Sequence, residues 1–149
     1  MFDHEKLDVY QLELQFIRWL TVLMAEMRPS ARKSGILIAE VCDQPDRGSL
    51  SSLLNTAEGN GKRQLPVRAK YFDDARGSAK ECAACLDALA AKGVCTADRV
   101  QEGKEMLARI VAMLTGLVDR FSVPGGLREE PAPYGATGAG VWSQEPDKQ

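Results

Sequence analysis

Apolar residues recur at spacings of three and four along most of the first 121 residues, which predicts a chain of helices. The first helix is expected from about Leu7 to Met27 and carries two apolar stripes. Leu7, Tyr10, Leu14, Ile17 and Met24 form one, with Thr21 among them. Val9, Leu12, Phe16, Trp19, Leu20, Leu23 and Met27 form the other. Only the sector of Gln11, Gln15 and Arg18, with Asp8 and Glu26 nearby, is polar. That coverage exceeds what one bundle contact uses. The expectation is therefore a homo-oligomer in which Val9, Leu12, Phe16, Trp19, Leu20, Leu23 and Met27 supply the subunit interface.

Pro29 and Ser30 are expected to end this helix and open the next. Ala31 to Cys42 reads as helical, with a strand as the alternative at Ile36-Leu-Ile38. Pro45 has no N–H, and inside a helix it would cost ~3 kcal/mol. A kink or a fresh start is expected there, with Asp43 as cap. The segment runs on to about Asn60. Wound at about 100° per residue, Arg47, Ser51, Asn55 and Glu58 share one sector, and Leu50, Leu53, Leu54 and Ala57 fill the next. A polar stripe beside an apolar one predicts an inter-helix hydrogen-bond network, with Gly59 and Gly61 stopping the helix.

After a link at 61–66, a third helix is expected from about Val67 to Lys92. Its core stripe is Phe72, Ala75, Ala79, Cys82, Leu86 and Leu89, with Tyr71 on the flank. Thr96 is the N-cap expected for a fourth helix, with Asp98 near its positive end. Val100, Leu107, Ile110, Val111, Leu114, Leu117, Val118 and Phe121 make one apolar face there. Beyond Phe121 the period is lost among prolines and glycines. The domain reading is thus an all-α, antiparallel up-and-down four-helix bundle at 1–121 and a Gly/Pro-rich flexible tail at 122–149 containing Trp142.

Composition adds little to this picture. The 149 residues are 44% hydrophobic and 27% charged, and the net charge of −2 gives no global attraction to nucleic acid or anionic membrane. Asp3, His4 and Glu5 interrupt any leader-like apolar run, and no stretch reads as membrane-spanning. With Cys42, Cys82, Cys85 and Cys95 read as free thiols, a reducing cytoplasm is the expected setting.

The opening Glu5-Lys-Leu-Asp-Val-Tyr10, then Gln44, Arg47, Ser51, Asn55, Ala57, Glu58, Gly59 and Gly61-Lys-Arg63, then Phe72, Ala75, Gly77, Ser78 and Glu81, form a set. At these spacings the set resembles the four-helix-bundle proteins encoded within bacterial 23S rRNA intervening sequences, over roughly residues 5–121. Pro45, Gly48, Ser52 and Thr56 depart from that pattern, standing where apolar or helix-favouring residues are usual. The resemblance implies an up-and-down bundle assembled as a ring-like homopentamer, with no known catalytic activity. The chain is more distantly similar to the strongly basic, nucleic-acid-binding accessory proteins of diversity-generating retroelements.

Candidate chemistry is sparse. Cys82-Ala-Ala-Cys85 has CxxC spacing, yet it falls mid-helix, away from the dipole end that activates a thiol, and His4 is the single histidine. Small buried residues explain the pair better, so no metal and no cofactor are expected. Glu58 with Arg47, or Glu81 with Ser78, lacks a histidine nearby in sequence, and no catalytic residue is expected. Arg47, Ser51, Asn55, Glu58, Ser78 and Glu81 are assigned to a structural polar network. Between positions 62 and 80, six bases (Lys62, Arg63, Arg68, Lys70, Arg76 and Lys80) stand against two acids, a local balance of +4. Repeated around a ring, that patch would give salt-dependent binding to RNA or DNA. This is the alternative to a non-enzymatic scaffold that partners itself.

Overall fold

The computed structural model describes residues 1–122, the side chain of Ile38 excepted. After a 3-10 turn at Asp3–Lys6 come four helices: α1 (Asp8–Lys33), α2 (Ile38–Gly61), α3 (Leu65–Ala91) and α4 (Ala97–Phe121). Each packs on its neighbours in the order α1, α2, α3, α4 and back to α1, the cycle of an up-and-down bundle. No strand occurs among the described residues, and none of their helices is long and apolar enough to cross a membrane. The tail expected at 122–149, with Trp142, lies outside the described residues save for Ser122.

Local signals account for most of the helix ends. Gly35 (φ 67°) and Gly93 (φ 77°) adopt the left-handed geometry that glycine takes without strain. Beyond them the Ile36 amide donates back to the Ala31 carbonyl at 2.9 Å, and the Val94 amide to the Leu89 carbonyl at 3.3 Å. These bonds satisfy carbonyls that the helix ends leave open. Thr96 caps α4, its hydroxyl accepting from the Arg99 amide at 3.2 Å. Ile36 and Leu37 form the turn into α2 rather than a strand.

Both helices run through their prolines, so Pro29 does not end α1 and no fresh helix starts at Pro45. Pro29 and Ala25, whose carbonyl loses its donor, face solvent. Pro45 is buried and its carbonyl accepts from the Cys82 thiol at 3.7 Å. There the ring fills core space, which offsets part of the lost backbone bond.

The core is built from one stripe of each helix. The α3 stripe is as read from the sequence, with Ala69 added. On α4, Val100, Leu107, Ile110 and Leu114 are buried. On α1 the buried stripe is Val9, Leu12, Phe16, Leu20, Leu23, Met27 and Ala31.

The inner face of α2 is unusual. Val41, Pro45, Gly48, Ser49, Ser52, Leu53, Thr56 and Gly59 point inward, while Leu50 and Leu54 are 51% and 56% exposed. The four departures from the family pattern all lie on this inner face. Size explains it. A Cβ on Gly59 would lie 2.9 Å from the Tyr71 Cβ and 3.3 Å from the Arg68 carbonyl oxygen. A Cβ on Gly48 would lie 2.8 Å from the Cys82 sulfur. Gly59 is therefore a close-contact residue within α2 and not its stop. Gly103 plays the same part on α4, where a Cβ would meet the Trp19 ring at 2.3 Å.

These contacts predict opposite signs for one substitution. Gly59→Ala and Gly103→Ala should each lower unfolding free energy by about 1–3 kcal/mol through overpacking. Gly77→Ala, in α3 with nothing within 4 Å of its Cβ, should raise it by roughly 0.5–1 kcal/mol through helix propensity. Urea denaturation of the three variants checks the contrast.

Candidate interaction face and the buried carboxyl

The polar network forms only in its centre. Ser51 of α2 and Ser78 of α3 share a hydrogen bond of 2.9 Å. Asn55 donates to the Ser51 carbonyl at 2.9 Å and to its hydroxyl at 3.2 Å. The charged members stay outside it. Arg47 pairs with Asp43 at 2.9 Å, and Glu58 with Lys62 at 2.8 Å, each within α2. Glu81 is exposed with no ion pair among the described residues. The expected six-residue network is thus corrected to Ser51, Asn55 and Ser78.

A second cluster, not anticipated from the sequence, lies between α1 and α2. Glu13 is 2% exposed. One carboxyl oxygen accepts from Ser52 at 2.5 Å and from Thr56 at 3.0 Å, while the other has no partner among the described residues. Burial raises its pKa from 4.5 to about 7, with the two hydroxyls pulling the other way. The signal was available: Glu13 falls between Val9 and Ile17 in helical phase, on the edge of the core stripe. The hydroxyls of Ser52 and Thr56 fall in phase on α2 to meet it.

The expected subunit interface is corrected as well. Val9, Leu12, Phe16, Leu20, Leu23 and Met27 are at most 4% exposed within the single chain. Side chains already enclosed cannot receive a second subunit. Trp19 is half-buried over Gly103, donates to Glu102 at 3.0 Å and carries the Arg99 guanidinium 5.2 Å from its ring. Arg99 also grips Glu26 of α1 at 2.8 and 3.1 Å. The surplus apolar surface of α1 is its other stripe, where Tyr10, Leu14, Ile17 and Met24 remain half-buried.

The six basic residues are largely engaged. Lys62 pairs with Glu58, Lys70 with Asp74 at 4.0 Å, and Arg76 with Asp73 at 2.5 Å. Arg68 donates to the carbonyls of Asn60 and Lys62, closing the end of α2, and stacks over Phe121. Of the six, Arg63, Arg68 and Lys80 have no ion pair among the described residues, and of these three Arg68 is the one held by backbone carbonyls.

Thiol chemistry finds little support. Burial pushes the thiols of Cys42, Cys85 and Cys95 up and that of Cys82 to about 12, which disfavours the reactive thiolate. No three metal-ligating side chains gather among the described residues. A cleft of about 370 Å³ between the start of α1 and the end of α4 is lined by Leu7, Val9, Met113, Gly116 and Leu117, with Asp8 and Arg120 as its charged members.

The arrangement defines a class: an all-α up-and-down four-helix bundle. Within that class, the chain belongs to the 23S rRNA-intervening sequence protein family, whose family model matches residues 5–116. No individually curated protein matches the chain.

Glu13 yields a pH prediction. The folded chain holds the Glu13 proton more tightly than the unfolded one, whose pKa is near the ordinary 4.5. Its contribution is therefore fully present below pH 4.5 and falls away as pH rises to about 7. The loss should reach about 3 kcal/mol. Glu13→Gln should remove that slope, as read from urea midpoints of both proteins between pH 4.5 and 8. Arg68→Ala should cost about 1–3 kcal/mol of stability, through two carbonyls left without a charged donor.

Proposed function

We propose that this chain is a non-enzymatic, cytoplasmic interaction module that assembles with copies of itself. The single observation that carries the reading is the outward placement of Leu50 and Leu54 on a helix whose inner face is small and polar. Half-exposed Leu14 and Ile17 on α1, together with exposed Val22, add to the apolar surface outside the core. Family membership supports the same reading, since the resemblance implies a homopentameric ring.

The alternative is a nucleic-acid-binding accessory protein. The ion pairs of Lys62, Lys70 and Arg76 and the internal use of Arg68 leave Arg63 and Lys80 as its strongest supports. Neutralising so few phosphates gives a shallow salt dependence.

Light scattering behind size exclusion should give a mass at least twice 16.3 kDa at high micromolar concentration. A clean monomer there would reject the assembly reading. Titration of labelled RNA and DNA over a salt series should show weak binding with a flat response. A steep slope would reinstate the alternative.

A further inference from the structure

The outward face of α2 carries a charge pattern that is antisymmetric about its own midpoint. Asp43, Arg47, Leu50, Leu54, Glu58 and Lys62 follow one another at steps of three or four residues and read acid, base, leucine, leucine, acid, base. Arg47 and Glu58 are equidistant from the point between residues 52 and 53, about 8 Å along the axis on either side. Asp43 and Lys62 are equidistant from it too, at about 14 Å. Every member but Lys62 is exposed, and Lys62 is half-exposed. Nearby Ala57 and Gly61 add no bulk that would hold a neighbouring helix away.

We propose that two copies of this chain pair through α2, antiparallel, about a two-fold axis between Leu50 and Leu54. In that arrangement Leu50 and Leu54 meet Leu54 and Leu50 of the other copy. The Arg47 guanidinium lies beside the Glu58 carboxylate across the axis, and Asp43 beside Lys62. The pairs already present within each helix, Arg47–Asp43 and Glu58–Lys62, stay intact and become two alternating quartets of charge. A parallel pairing in register sets each charge against its own kind, which is repulsive. The pattern therefore selects direction as well as partner.

The proposal rests on the self-assembly reading and adds its symmetry. A two-fold contact is complete with two copies, so it gives a dimer, or two rings back to back where a ring closes through other surfaces. One helix face buries less than the roughly 800 Å² per partner of a standard interface. The contact is accordingly weak and measurable at high micromolar concentration.

Sedimentation velocity of the full chain from about 1 to about 500 µM tests it. The wild type should show concentration-dependent, even-numbered association. Arg47→Glu, and separately Glu58→Arg, should weaken that association by about tenfold, because each creates two like-charge contacts across the axis. The double exchange Arg47→Glu/Glu58→Arg should restore it to within about threefold of wild type, since opposite charges then face each other again. Leu50→Ser/Leu54→Ser should abolish it while leaving the circular dichroism spectrum unchanged, as both leucines lie outside the core. Wild-type association that ignores all four variants would overturn the α2 pairing and leave self-assembly standing through another face. A wild type that stays monomeric to the highest concentration would overturn both.

Discussion

The closeness of α2 to α3 and α1 is the constraint on which the other features depend. Gly48 and Gly59 leave no room for a side chain at their contacts with α3, and Ser52 and Thr56 are the small residues beside Glu13. On α3 the facing stripe supplies Ala69, Ala75 and Ala79, all fully buried. Two helices lined this way approach more closely than leucine-lined helices can, and dense contact replaces bulk as the source of cohesion. Rotating α2 to bury Leu50 and Leu54 would add apolar burial, at about 25 cal/mol per Å². It would also force the helices apart along their whole length and strip Glu13 of both hydroxyl donors. The leucines stay outside because the gap is too narrow for them.

The same narrowness explains the buried carboxyl. An acid between packed helices is costly unless hydrogen-bonded, and Ser52 and Thr56 answer one of its oxygens. The other has no partner among the described residues, and burial favours the neutral acid over the charged form. The opposite seam of α1 has a different chemistry. There the edge of the Trp19 ring sits against Gly103, and Arg99 joins Glu26, Glu102 and the indole ring at the surface. One side of α1 is thus held by a buried polar contact and the other by an aromatic plate with solvated charges.

Much of the fold was legible because it follows local rules. Thr96, Gly93 and the three-and-four spacing on α3 and α4 act within a turn or two of where they stand, and the helices there match their sequence signals. The errors have one common source. Reading α2 by hydrophobicity grouped Leu50 and Leu54 with the buried Leu53 in one apolar stripe, whereas side-chain volume decides which way that helix faces. Pro29 and Pro45 were weighed by local backbone cost alone; α1 runs through Pro29 on its solvent side, and core packing carries α2 through Pro45. Gly59 was read as a stop because its partner, Tyr71, lies on another helix. Gly103, an isolated glycine in a helical stretch, and Glu13, an acid amid apolar phase, were visible but not assigned. The first-helix stripe was sent to a subunit interface because the sequence does not show that α2 and α4 both lean on it. Among the site residues, the Ser51–Asn55–Ser78 centre could be foreseen from phase. The engagement of Arg68 with backbone carbonyls could not.

The seams are unequal in extent, and this has a kinetic meaning. α3 is held along both flanks by broad contacts with α2 and α4, whereas α1 makes narrower ones and is tethered by the short turn at Ser34–Leu37. Partial opening follows the weakest seam. α1 is then the first helix to swing out and the first whose backbone amides trade hydrogen for deuterium, while those of α3 trade last.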